Sequence, residues 1–206
     1  MGKPAVVPFL LLTFLFLSTF AAAASDPVLD TDGKKLTRGT EYYILPASAG
    51  NGGGLTLDSR NGTECPLYVA KESSEASPGF PVAFFPYTHK RTVRVSTDAN
   101  FVFSAASTCV QTTVWTLGRF EESTGRTFVA TGGVVGRTGP EARGTWFRIE
   151  TFEDGRSGYK LAFCPQPPVC VGCGKPRCGD LGLLEEGGKV WLGFSDSPLP
   201  VVFKRV

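Results

Sequence analysis

Six cysteines behind an apolar N-terminal segment constrain this chain more than any other feature, and four of them crowd into Cys164, Cys170, Cys173 and Cys178. What they do depends on redox compartment. In a reducing cytosol this density, with the Cys170-Val-Gly-Cys173 spacing, points to a zinc site. The first 24 residues point elsewhere. Met1-Gly2-Lys3 supplies a positive start, Ala5 to Phe20 is apolar and uncharged, and Ala22-Ala23-Ala24 offers small residues for cleavage. That is the pattern of a signal peptide. The expectation is therefore a signal peptide over residues 1–24, a mature chain beginning near Ser25, and cysteines spent as disulfides in an oxidising compartment. Six cysteines allow about fifteen pairings, and their spacing does not choose among them.

The remaining length suits one domain, residues 25–206, with a substantial core. No later segment approaches the ~20 apolar residues of a membrane span. The formal net charge of +2 lacks the clustered basic excess a nucleic-acid partner requires; Lys90-Arg91 with Arg94 is a small cluster on a loop and strand face.

Twenty-five glycines and fifteen prolines punctuate short aromatic and β-branched runs, which is an all-β pattern. Strands are predicted at 42–45, 55–57, 93–95, 100–103, 113–117, 127–130, 146–149, 159–163, 190–194 and 201–204. The segment 120–125 reads as a turn. A weak rhythm of roughly sixty residues, aromatic strand pairs followed by Gly-rich turns, favours a closed threefold barrel, since closure hides strand edges. Trp115, Trp146 and Trp191 are assigned to the core.

Catalytic inventories come out poor. The only histidine, His89, lies in a Pro-Tyr-Thr-His-Lys-Arg loop with no Gly-x-Ser-x-Gly elbow. The pairs Glu121-Glu122 and Glu185-Glu186 read as solvated turns rather than acid/base couples. Gly132-Gly133-Val134-Val135-Gly136 lacks the Lys-Ser/Thr of a phosphate loop. A binding module without metal or cofactor is expected, not an enzyme.

The chain resembles the Kunitz-type soybean trypsin inhibitor family of plant β-trefoil proteins, and within it the miraculin-like branch. The resemblance is carried by Asp26-Pro-Val-Leu-Asp-Thr-Asp-Gly33, Gly39-Thr-Glu-Tyr-Tyr-Ile-Leu45, Gly52-Gly-Gly-Leu-Thr56, Cys65-Pro66 and Ala83-Phe-Phe-Pro86. It continues through Val93-Arg-Val-Ser-Thr-Asp98, Glu122-Ser-Thr-Gly125, Trp146-Phe-Arg-Ile-Glu150, Tyr159-Lys-Leu-Ala-Phe-Cys-Pro165, Cys178-Gly-Asp-Leu-Gly182 and Pro200-Val-Val-Phe-Lys204. It implies a disulfide-bonded β-trefoil, a closed barrel of about twelve short strands with pseudo-threefold symmetry. It also implies the bridges Cys65–Cys109, Cys164–Cys178 and Cys170–Cys173. In a chain-entropy account the first of these contributes about 4 kcal/mol.

The resemblance further implies a secreted or vacuolar, monomeric inhibitor of endopeptidases, serine-type, with a role in plant defence and a target protease as partner. The inhibitory loop inherited from the family is Phe85–Thr92, with Pro86, Tyr87, Thr88, His89, Lys90 and Arg91 as its site residues. Three departures stand out: Thr88 occupies the place of the Arg or Lys of trypsin-directed members, the loop is several residues shorter than theirs, and Arg38 stands in the place of a loop-supporting Asn. A trypsin-like pocket needs a long cation, which Lys90 or Arg91 supplies if the scissile register is slipped; the aligned Thr88 suits a subtilisin-like or elastase-like pocket. The alternatives are inhibition of cysteine proteases or α-amylase through Gly155–Gly158 or Gln166–Arg177, a carbohydrate pocket beside an exposed aromatic, or a non-inhibitory miraculin-like binding or defence protein. Asn61-Gly62-Thr63 is an N-glycosylation sequon in a turn-like stretch.

Overall fold

A computed structural model describes Gly2, residues 25–48, Gly50, residues 53–152 and residues 158–206. Apart from Gly2, the segment expected to be a signal peptide lies outside the described residues, as do residues 155–157 of the Gly155–Gly158 loop.

Twelve strands are described: β1 Glu41–Pro46, β2 Leu55–Arg60, β3 Thr63–Lys71, β4 Val82–Pro86, β5 Ala99–Phe103 and β6 Trp115–Leu117, followed by β7 Val129–Thr131, β8 Arg148–Thr151, β9 Tyr159–Phe163, β10 Gly179–Glu186, β11 Lys189–Phe194 and β12 Val201–Arg205. A 3₁₀ turn, Pro140–Thr145, precedes β8. All named pairings are antiparallel and follow the path β5-β4-β1-β12-β9-β10-β11-β3-β7-β6, with β2 on β3 and β8 on β9. The ends of that path meet through a Val102–Val114 bridge and a hydrogen bond from Thr113 Oγ1 to the Phe103 carbonyl of 2.7 Å.

The core follows from the aromatic strand residues. Phe84 meets Phe101 and Phe203 edge-on at 4.8 and 5.5 Å, and Phe101 and Phe147 surround Trp115 at 5.2 and 5.7 Å. Such contacts add about 0.5–1.5 kcal/mol each beyond area burial. All three tryptophans are buried.

Three hairpins, β2–β3, β6–β7 and β10–β11, pack on one another through Tyr68–Ala130, Ala70–Trp191 and Phe128–Gly193. Gly193 is required at the last contact, because a Cβ there falls 2.5 Å from the Thr127 carbonyl oxygen. Each hairpin sends one charge to a common point. Arg60, with its side chain only 2% exposed, donates to Glu121 Oε1 at 2.5 Å and to Glu186 Oε1 at 2.6 Å, and its guanidinium lies 3.8 Å from the Phe128 ring centroid. Burial alone lowers the Arg60 pKa, but the hydrogen bonds from Glu121 and Glu186 and their negative charges outweigh it, and the net direction is upward. Glu121 and Glu186 are therefore half-buried members of a charge cluster, not the solvated turn acids expected from sequence. The turn assignment itself stands for 122–125, which the Gly125 N–H to Glu121 carbonyl bond closes at 2.8 Å.

Two further differences concern the strands. Residues 93–95 form no strand; Arg94 makes an isolated bridge to Pro27. Thr63–Lys71 and Gly179–Glu186 are strands that alternation in sequence did not reveal, because Pro66 and two charged residues, Glu64 and Lys71, interrupt one and glycines and paired acids the other.

Candidate functional site

The loop Phe85–Thr92 is suspended between two anchored segments. Its entry is the end of β4, whose Phe85 and Pro86 pair with Asn100 and Ala99 of β5. Its exit is tied to the segment before β1: the Arg38 N–H donates to the Arg91 carbonyl at 2.7 Å, Thr92 bridges Thr37, and the Val93 N–H donates to the Leu36 carbonyl at 2.9 Å. Between these ties Thr88, His89, Lys90 and Arg91 are all exposed.

The first part of the loop is a turn. The His89 N–H donates to the Pro86 carbonyl at 3.0 Å, which places Tyr87 and Thr88 at the turn's centre, and His89 has a φ of 55°. A left-handed backbone at a non-glycine residue is uncommon. Lys90 and Arg91 then run to the Thr37–Thr92 bridge. The Lys90 carbonyl has no hydrogen-bond partner among the described residues, whereas the Arg91 carbonyl is occupied by Arg38.

Support comes from below. Tyr87 donates its N–H to the Asp98 carbonyl at 2.9 Å and sets its ring edge-on to Trp146 at 5.8 Å. The buried Asp98 carboxylate accepts from Arg148 Nε at 2.8 Å, from the Arg148 guanidinium again at 3.2 Å, and from the Gln166 N–H at 3.0 Å. One residue thereby joins the loop, β8 and the segment after β9. The fully buried Asn100 donates from Nδ2 to the Thr145 carbonyl and accepts the Gly136 N–H on Oδ1, both at 2.8 Å, which fixes a second loop beside the first. Trp146 is the meeting point of three loops: it packs with Tyr87, Val169, Cys170 and Cys173 and donates its indole N–H to the Arg137 carbonyl at 2.9 Å.

Arg38, at the position where the family resemblance leads one to expect an Asn, contributes its backbone N–H to the loop while its guanidinium lies 5.5 Å from the Phe85 ring centroid. A small cavity of about 30 Å³ lies among Arg38, Phe85, Tyr87, His89, Asn100 and Trp146. Asp98, Asn100, Trp146 and Arg148 were not singled out as functional from sequence. Asp98 closes one of the runs that carry the family resemblance and Trp146 and Arg148 lie in another, whereas Asn100 appears only within the predicted strand 100–103.

The cysteines pair as Cys65–Cys109, Cys164–Cys178 and Cys170–Cys173, and none is free. The first pair brackets the loop in sequence. Asn61 is exposed, with a φ of 57°, in the turn joining β2 to β3. In the segment Gln166–Arg177, Gln166, Pro167 and Pro168 are exposed and Val171 is 69% exposed.

An all-β body stapled by disulfides and displaying an anchored loop defines a class of small binding scaffold. Residues 28–205 match the legume Kunitz family, described as trypsin and protease inhibitor, and the chain belongs to that family. It is 44% identical to miraculin of Synsepalum dulcificum over 94% of each chain. It is 42% identical to Kunitz trypsin inhibitor 5 of Arabidopsis thaliana, over 95% of this chain and 97% of that one. Among solved structures, the Kunitz-type cysteine protease inhibitor of potato superposes with a TM-score of 0.77 at 34% identity, over 89% of this chain and 98% of that one. The fold is a β-trefoil, and the family is one of inhibitors rather than enzymes.

Proposed function

We propose that the chain is exported by the signal at residues 1–24 and acts, as the single monomeric domain 25–206, by inhibiting serine endopeptidases through Thr88–Arg91, with Lys90 filling the primary specificity pocket. One observation carries the choice of residue: of the loop's two neighbouring cations, Lys90 has the unoccupied carbonyl. A scissile carbonyl must enter an oxyanion hole as the cation beside it enters the pocket. Arg91 fails the first condition because Arg38 holds its carbonyl. Thr88 fails on two grounds, having no cation and lying inside a turn, whereas a protease binds an extended chain.

Inhibition rather than digestion then follows from the anchors. If the Lys90–Arg91 bond is cut, Tyr87 remains bonded to Asp98 and Arg91 to Arg38, so the new amine stays beside the acyl-enzyme. Held there, it reacts with an effective concentration far above that of a free peptide, and resynthesis competes with hydrolysis. A pre-ordered loop also avoids much of the entropy cost of binding. The Arabidopsis relative's name as a trypsin inhibitor supports this assignment. In the secretory pathway the exposed Asn61 sequon carries a glycan, remote in sequence from the loop, and the product serves in extracellular or vacuolar defence.

The test is titration of the purified protein against trypsin, subtilisin, papain and α-amylase. Stoichiometric, tight inhibition of trypsin with none of papain or α-amylase is expected. Inhibition of papain alone transfers the activity to Gln166–Arg177, and inactivity across the panel overturns the proposal.

A further inference from the structure

A second site lies beyond Trp146. A groove enclosing about 510 Å³ is lined by Arg119, Arg143, Lys175 and Arg177 over a floor that includes Phe163 and Pro165. No aspartate or glutamate lines it. Its four cations exceed the formal net charge of the whole chain, +2, so the rest of the molecule is net negative and the groove is a local positive focus.

Three acids of the flanking segments are engaged elsewhere. Glu121 is bound to Arg60, Asp180 to Lys160 and Glu141 to Arg137, and none of the groove cations forms an ion pair with a described residue. The site is also held in shape. Lys175 and Arg177 lie between Cys173 and Cys178, each disulfide-bonded. Arg177 donates to Thr127 Oγ1 at 3.2 Å while its guanidinium sits 5.1 Å from the Phe194 ring centroid and 5.5 Å from that of Phe120. Phe120 is itself 51% exposed at the groove's edge.

We propose that this groove binds an anionic polysaccharide, carboxylated or sulfated. Arginine forks suit the planar or tetrahedral oxyanions of such a chain, and the exposed Phe120 ring at the groove's edge suits the apolar face of a sugar. A peptide is a poorer occupant: extended peptides add to a free strand edge, but here the walls are loops in which Pro165 and Pro176 offer no N–H. Cys173 lines the groove on one side and packs on the Trp146 cluster on the other, with Tyr87 across that cluster. Polysaccharide and protease therefore occupy separate faces.

The experiment measures binding of the disulfide-intact protein to oligogalacturonate, dextran sulfate, neutral dextran and poly-glutamate at low and moderate salt. Binding to at least one anionic glycan, absent for neutral dextran and weakening steeply with salt, is expected. Lys175→Gln/Arg177→Gln and, independently, Arg119→Gln/Arg143→Gln should each weaken it about tenfold or more, while Lys204→Gln/Arg205→Gln, which removes the same charge elsewhere, leaves it unchanged. The difference between the carboxylated and sulfated arms identifies the preferred anion. Equal loss in the control variant, equal affinity for poly-glutamate, or full competition by millimolar inorganic sulfate would each overturn the proposal. Trypsin inhibition stays within about twofold in every groove variant if the two faces are separate, so failure here is distinguishable from failure of the inhibitory loop.

Discussion

The Tyr87 ring stands edge-on to the Trp146 indole, 5.8 Å between centroids, and this contact seats the base of the exposed loop on a platform shared with Val169, Cys170 and Cys173. Tyr87→Ala removes the ring and leaves the backbone bond to Asp98. Given about 0.5–1.5 kcal/mol for such an aromatic pair, trypsin inhibition should weaken roughly threefold to tenfold with little change in melting temperature. A fall in stability with unchanged inhibition would show that the contact supports the body and not the loop.

Asp98 holds three partners from three segments of chain. Asp98→Ala leaves the largely covered Arg148 guanidinium without its carboxylate, and breaking a nearly buried pair in this way costs about 3 kcal/mol or more. Denaturant melts should show that loss. Folded Asp98→Ala inhibitor should also be cleaved faster by trypsin, because the bond from Tyr87 rests on a backbone no longer fixed from below; gel assays of the clipped chain over hours give the comparison.

Arg60 answers to two acids. Arg60→Leu strands Glu121 and Glu186 beside one another and should cost about 3–5 kcal/mol, yet inhibition by the folded fraction should equal that of the parent. The pH dependence has a definite sign. Since folding raises the Arg60 pKa, its contribution is complete below the ordinary arginine value and is lost only as pH rises through the higher folded one. Thermal melts between about pH 8 and 10, well below that value, should show no loss that Arg60→Leu abolishes.

The Cys65–Cys109 bridge spans 44 residues that include the whole loop. Replacing both cysteines by alanine should lower unfolding free energy by about 4 kcal/mol on chain-entropy grounds, against about 3 kcal/mol for the 14-residue Cys164–Cys178 pair. Paired urea melts rank the two; a reversed order would place the stabilisation in native packing instead.

Much of the body was legible in the sequence because its determinants are local. Runs such as Tyr159–Phe163 and Val190–Phe194 carry the aromatic and aliphatic content of buried strands, and glycines mark the turns between them. The charge cluster was not legible. Arg60 lies 61 residues from Glu121 and 126 from Glu186, and only the packing of three hairpins brings them together. The family resemblance pointed to Phe85–Thr92, which is an exposed and anchored loop, but the register proposed for it was not legible. That depends on a turn closed by His89 and on which carbonyl Arg38 occupies, and neither is encoded in the residue types of Thr88, Lys90 and Arg91.

The inhibition constant for trypsin of Lys90→Ala, compared with those of Thr88→Ala and Arg91→Ala, tests the assignment most directly. Removing the side chain that fills the primary pocket should cost on the order of 4 kcal/mol, about a thousandfold, for Lys90→Ala, with roughly tenfold or less for each of the other two. A thousandfold loss in Thr88→Ala or Arg91→Ala with Lys90→Ala unaffected would contradict it.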